Sequence, residues 1–365
     1  MVQSVICEWL MNNADVPIRY RVARELLCDN KTAKKLEPEL LENPVVAQWL
    51  KNLKPKNPPQ HRSMEHGSFD FCLENAMSKI VQLGLHFGMP CVKDASQYYI
   101  DKINQYPVEM PFRSIGGFKP GFENFGFNSI LISNFLVLAG ADDRIILKHM
   151  LGNLDIIFDF VSKKDYNIYI SDEERNALKA VPEIWKDKKF IRRDLIEIRG
   201  YCYPLIYDLA GLHKLYSLKN PVVDKKINTI IKFISNDTFH ETIADGYGIL
   251  VSGNNKYHGM GWDPKFPGWF DVENYIINGN MPRLLYMAGL IAKYPIARKT
   301  KWFSDLTGCL EKYSAGEGFY LFPKDWLRES QGYAVMGNHV SFGENRRKKN
   351  WAEIESTFYM QLLRS

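Results

Sequence analysis

The chain has 365 residues, 45% of them hydrophobic and 24% charged, which is enough apolar material for a sizeable core in one large or two medium domains. Its 47 lysines and arginines against 42 aspartates and glutamates leave a formal net charge of +5, too small and too dispersed to mark a nucleic-acid surface. No apolar run reaches the roughly 18 to 20 residues of a bilayer-spanning helix, and the N-terminus lacks a basic segment followed by a long apolar one, so a soluble cytoplasmic protein without membrane insertion is expected.

Taken in order, Val5 to Leu10 reads as a short helix ending at Asn12-Asn13, and Asp15 with Pro17 signals the start of a second that runs to Leu27. Asn43-Pro44 repeats the signal ahead of Val45, Val46, Trp49, Leu50 and Leu53 at helical spacing. Lys54 to Ser63, with three prolines, is a loop. Phe71 to Leu85 is helical again, and Val92 to Ile103 makes its return helix. After a Gly-rich stretch around Gly116-Gly117, Asn128 to Leu138 is apolar on nearly every side, which predicts a helix buried all round, with Ile145 to Phe160 as its more amphipathic partner.

A further hairpin opens at Tyr201-Cys202-Tyr203, runs to Leu218 and returns from Val223 to Ile234. Then comes a loop from Asp245 to Trp269, holding Tyr257, His258, Trp262 and Asp263. Helices follow from Val272 to Leu310, a second aromatic-rich loop from Gly316 to Asn350 carries Tyr333 and His339, and a terminal helix occupies Trp351 to Leu363. Loops of this length with Gly hinges suit a lid over a site.

The recurring unit is a helical run, a Gly or Pro break, and a second run, with breaks at Gly88-Met89-Pro90, Gly140-Ala141-Asp142, Asn220-Pro221 and Tyr294-Pro295. A lone helical hairpin cannot bury its apolar face, so repeated hairpins stack or close on themselves. The unpaired terminal helix is expected to lie beside the N-terminal helices. These repeats, together with His66-Gly67-Ser68-Phe69 and the run Gly343-Glu344-Asn345-Arg346-Arg347 before Trp351, resemble the α/α-toroid superfamily of terpenoid cyclases and protein prenyltransferase β-subunits. The resemblance implies an all-α fold, one toroidal domain over residues 1–365, a closed barrel of helical hairpins with short strand hairpins confined to its loops.

The chain departs from that family's chemistry. It has no Asp-x-Asp-Asp proton donor and no Gln-x-x-x-Gly-x-Trp repeat, and Gly200 stands where a zinc-binding Asp would precede Cys202. The six cysteines lack a Cys-x-x-Cys pair, and the eight histidines lack a paired metal spacing, so reduced thiols, no metal and no cofactor are expected. Phosphate-binding, dinucleotide-binding and nucleophile-elbow motifs are likewise missing.

In a toroid the inner helix starts face the cavity, so the resemblance makes Phe69, Asp70, Phe127, Asn128, Tyr201, Tyr203, Trp269 and Trp351, with Trp262 from the loop, the expected ligand-binding residues. An aromatic-rich concavity with a few polar groups is the usual form of a small-molecule site. Asp271 and Glu353 are the acid candidates, since a buried carboxyl with a raised pKa can donate a proton. Each has a carboxylate two residues on, Glu273 and Glu355, and residues two apart on a helix face different ways. His258 with Asp263, and His66 with Asp70, are candidate His-carboxylate dyads, and Arg346 and Arg347 are candidate anion contacts. The function expected is binding of a small apolar or cyclic ligand, with proton donation from a cavity carboxylate. Carbohydrate chemistry on an α/α barrel is the alternative, and a non-catalytic scaffold a third reading. Composition leaves the oligomeric state open.

Overall fold

The computed structural model describes residues 2–54, 64–106, 125–192, 195, 202–252 and 256–365. It is 60% helix and 5% strand, an all-α protein. The first helices are α1 (Val2–Asn13), α2 (Val16–Arg21), which continues as a wider π-turn over Val22–Leu26, α3 (Asn30–Glu42) and α4 (Pro44–Leu53). At the start of α4 the Asn43 side chain accepts from the Val45 and Val46 amides at 3.0 and 3.3 Å, and Pro44, with no amide to satisfy, takes the first helical position. The sequence reading passes over α3. Only Ala33 and Leu40 of this helix are buried, so it shows almost no apolar period.

Next come α5 (Leu73–Gln82), α6 (Pro90–Ala95) and α7 (Gln97–Asn104). The single return helix expected over 92–103 is therefore two, parted at Ser96, whose hydroxyl donates to the Val92 carbonyl at 2.8 Å. Helix α8 (Phe125–Leu138) buries Ile130 to Leu138 on all sides, as its composition requires, and its polar residues bond inward: Ser133 to Ser129 O and Asn134 to Ile130 O. Then follow α9 (Arg144–Val161), α10 (Asp172–Asn176), α11 (Ile206–Leu212), α12 (Pro221–Ile234) and α13 (Asp237–Thr242). The last four are α14 (Val272–Asn278), α15 (Met281–Ile291), α16 (Lys301–Glu311) and α17 (Trp351–Arg364). Among the described residues no helix is long and apolar enough to cross a membrane.

The strands are short. β2 (Ile249–Ser252) and β3 (Lys256–Gly259) pair antiparallel within the first long loop expected to hold a hairpin, and β4 (Ser314–Gly316) and β5 (Phe319–Tyr320) pair antiparallel at the start of the second, β4 beginning just before Gly316. β1 (Phe190–Ile191) departs from that expectation by adding to β2 in parallel. The approach depends on Gly248, at φ 103°, where a β-carbon would sit 2.3 Å from Lys189 O. Nothing in local periodicity announces such a pairing.

Packing divides the chain into two compact units. The first comprises Met1–Tyr98, Leu138–Ala141 and Phe270–Ser365; in it α2 packs on α3, α4 on α5, α14 on α16, and α17 against both α15 and α1. The terminal helix thus lies beside an N-terminal helix. The second comprises Tyr99–Val137 and Asp142–Trp269, with α9 packed on α12 and α11, and β1–β2–β3 covering a small core of Phe190, Ile249 and Val251. None of the six cysteines is in a disulfide.

Candidate functional site

Helix α5 buries Leu73, Ala76, Met77 and Ile80, an ordinary apolar stripe, but it also buries Glu74, Asn75 and Lys79 completely. Charged side chains with no access to water demand partners, and here they come from the loops on either side. The Asn75 amide donates to Gly67 O and Phe69 O at 2.8 and 2.9 Å and accepts from Ala334 N at 2.8 Å. One side chain thereby ties the loop before α5 to the segment ahead of α17. In the loop before α5 the Phe69 and Phe71 rings stack 5.2 Å apart, both half-buried.

Lys79 donates to Ser341 O and pairs with Glu329. Glu329 Oε1 lies 3.3 Å from His339 Nδ1, and His339 Nε2 lies 3.1 Å from Gly332 O and 3.7 Å from Asp70 Oδ1. The His339 ring is set edge-on to Trp49 at 4.9 Å. Gly337, at φ 80°, fixes the entry of this loop, since a β-carbon there would fall 2.1 Å from the Pro282 carbonyl carbon at the start of α15. Asp70, His339, Glu329 and Lys79 thus form a continuous string of titratable groups within the first unit.

Their electrostatics differ. Burial pushes the Asp70 carboxyl up, with the Glu329 charge adding to it and His339 and Lys79 opposing. Burial would raise Glu329 too, but the Lys79 charge and the hydrogen bonds from His339 and Lys79 outweigh it and hold Glu329 below the usual carboxylate range. Asp70 Oδ1 is buried with no hydrogen-bond partner among the described residues, although the side chain as a whole is 41% exposed. Two neighbouring carboxyls are thus shifted in opposite directions, the arrangement by which acid and base roles separate.

His66 and Asp70 do not form the dyad expected of them. His66 Nδ1 is 2.7 Å from Glu74 Oε1, and Asp70 faces His339 instead. The first unit also holds Asp271, Glu353, Trp351, Arg346 and Arg347. Asp271 is exposed and caps α14, accepting from Asn274 N at 2.9 Å. Its neighbour Glu273 pairs with Lys312 at 2.5 Å. Glu353 is half-buried on α17, whereas Glu355 is fully buried and accepts from Ser341 Oγ, Phe342 N and Glu344 N at 2.8, 3.0 and 3.1 Å. The Arg346 guanidinium lies 3.8 Å over the Trp351 ring, donates to Leu327 O and faces Glu355 at 3.6 Å, so its charge is matched within the chain. Arg347 is exposed.

The second unit holds the remaining residues. Phe127 stacks on Trp262 at 4.3 Å, with Tyr207 edge-on at 5.9 Å, and Asn128 is half-buried. Tyr203 is buried against Tyr247 at 4.5 Å, and Trp269 stacks on His240 at 4.2 Å while its Nε1 donates to Asp237. Asp263 is buried and accepts from Gly246 N and Lys265 N at 2.7 and 3.0 Å, the work of a turn-holding carboxylate, and His258 lies exposed on β3. Tyr201 falls outside the described residues.

Sequence reasoning found Phe69, Asp70 and His339 but missed Glu74, Lys79 and Glu329 as parts of one cluster. A helical lysine and glutamate read as solvent-facing by default, and the one local signal was the His-Gly-Ser-Phe-Asp loop opening α5. Compared with protein-family models, with curated proteins and with solved structures, the chain matches none.

Proposed function

We propose that the chain binds a small, largely apolar or cyclic ligand at the N-terminus of α5 and donates a proton to it from Asp70. The observation that carries this reading is the Asp70 carboxyl itself: its Oδ1 is buried without a hydrogen bond among the described residues, 3.7 Å from His339, its pKa is raised by burial, and its neighbours in sequence, Phe69 and Phe71, stack on each other. In this reading Phe69 and Phe71 supply the apolar platform, Asp70 the proton, and His339, held by Glu329 and Lys79, the group that restores it. The helical hairpins within each unit support the further reading of an α/α toroid.

The test is turnover of a panel of isoprenoid diphosphates and aryl glycosides followed by mass spectrometry, on the parent and on Asp70→Asn. Removal of a general acid is expected to lower turnover about 100-fold or more, with the melting temperature little changed because Asp70 Oδ1 has no hydrogen-bond partner among the described residues and meets His339 only at 3.7 Å. Product formation by Asp70→Asn at the parent rate would sink the assignment. Turnover of the glycosides alone would select the carbohydrate alternative.

A further inference from the structure

Glu74 sits one turn beyond Asp70 and has no accessible surface. Its Oε1 is engaged, with Gly67 N donating at 2.8 Å and His66 Nδ1 lying 2.7 Å away. Its Oε2 is buried and has no hydrogen-bond partner among the described residues. An acceptor-only carboxylate oxygen withdrawn from water is strongly unfavourable unless a donor reaches it.

The surroundings specify the donor. The Tyr333 ring lies 5.5 Å from the His66 ring, and burial together with the Glu74 charge raises the Tyr333 pKa. Burial, with the Glu74 charge adding to it, also holds the hydroxyl of Tyr286, on α15, above the ordinary tyrosine range. Ser78 stands four residues beyond Glu74 and therefore on the same helix face. Lys79, the nearest lysine on α5, is committed to Glu329 and Ser341 O. A buried carboxylate oxygen beside an imidazole that itself lies against a tyrosine ring is a setting that attracts an organic cation, through its N–H donors and through the ring faces.

We propose that Glu74 Oε2, with His66 and Tyr333 beside it, is the recognition site for an ammonium group on the ligand, so that the ligand is an apolar or cyclic amine. This rests on the α5 site proposed above and names the chemistry of its ligand.

Calorimetric titration with cyclohexylammonium and with its neutral analogue cyclohexanol tests it. The parent protein is expected to bind the ammonium at least tenfold more tightly than the alcohol, and Glu74→Gln to erase that preference. Equal binding of the two, binding of neither, or an unchanged preference in a folded Glu74→Gln overturns the proposal; the first two are what a buried water at Oε2 would give. Because Gly67 and His66 lean on Glu74, that variant has a companion. Tyr333→Leu leaves the carboxylate bonds in place and is expected to weaken the ammonium several-fold while leaving the alcohol unchanged, and no change in either overturns the aromatic half of the site. The outcome is separable from the proton-donor reading. Ammonium selectivity with an Asp70→Asn variant that still turns ligand over removes Asp70 and keeps Glu74, and the reverse pattern does the opposite.

Discussion

Lys79 shows how much one buried charge can organise. Its ammonium has no accessible surface and is offset by a Glu329 carboxylate that is 36% exposed, so water can partly relieve Glu329 but not Lys79. Removing one member of a fully buried pair is strongly destabilising, by about 3–5 kcal/mol. With Glu329 partly solvated, Lys79→Met is expected to lose about 2 kcal/mol by chemical denaturation, whereas Glu329→Gln, which leaves the lysine buried and uncompensated, is expected to lose more. The reverse order would show that the pair is held by its exposed end. Asp70 was singled out from the sequence because the toroid resemblance puts it at the start of an inner helix and because His66 stands four residues before it. Glu74 and Lys79 were not, because residue type alone does not distinguish a buried helical charge from a solvated one.

At the scale of elements, Asn-Pro pairs were the best-read features. Asn43 and Asn220 each accept from amides of the first helical turn with Pro44 and Pro221 directly behind them, whereas Asp15 makes no such cap, and the caps Asp143 and Asn280, with no proline directly behind them, went unread. Asp271 belongs to this set, which gives its role a direct test. As a cap, Asp271→Ala is expected to cost about 1 kcal/mol of stability while Asp271→Asn, which caps as well, costs almost nothing, and neither is expected to change turnover. Loss of turnover in Asp271→Asn with the melting temperature unchanged would return Asp271 to the chemistry. Elements whose existence depends on distant partners were not legible. α3 buries two side chains, and β1 is two residues long and forms because Gly248 lets Lys189 come close.

Across the whole molecule, His149 and His240 of the second unit and Glu344 of the first respond oppositely to acid. In the second unit burial lowers His149 to about 4 and His240 to about 3, the latter helped by Lys265. Folded-state values below the unfolded value of about 6.5 give stability that is present above that value and lost as pH falls through it toward 4. In the first unit burial raises Glu344 to about 7, against the Lys348 hydrogen bond and the Asp15 amide that oppose it. A carboxyl raised above its unfolded value of about 4.3 favours the fold below that value, and the advantage is lost as pH rises through 7. Hydrogen exchange corrected for intrinsic rates is therefore expected to show α9 and α13 less protected at pH 5.5 than at 7.5, and the segment around Glu344 more protected. In Glu344→Gln the second change should vanish and the first persist; parallel loss of protection in both units at low pH would contradict the assignment.

The Lys79–Glu329 pair spans 250 residues of chain, and that span also sets a timetable for the protein's birth. At a synthesis rate of about 5–20 residues per second, a nascent α5 waits roughly ten to fifty seconds for the carboxylate that neutralises its lysine. The segments of the second unit, ending at Trp269, have all been made before Glu329 is translated. Ribosome-bound chains arrested between these two points are expected to resist protease within the second unit while α1 to α5 are still cut, and α5 to become resistant only once Glu329 and α17 have been released. Resistance of α5 in the shorter chain would mean that this helix finds a partner for Lys79 other than the one it keeps.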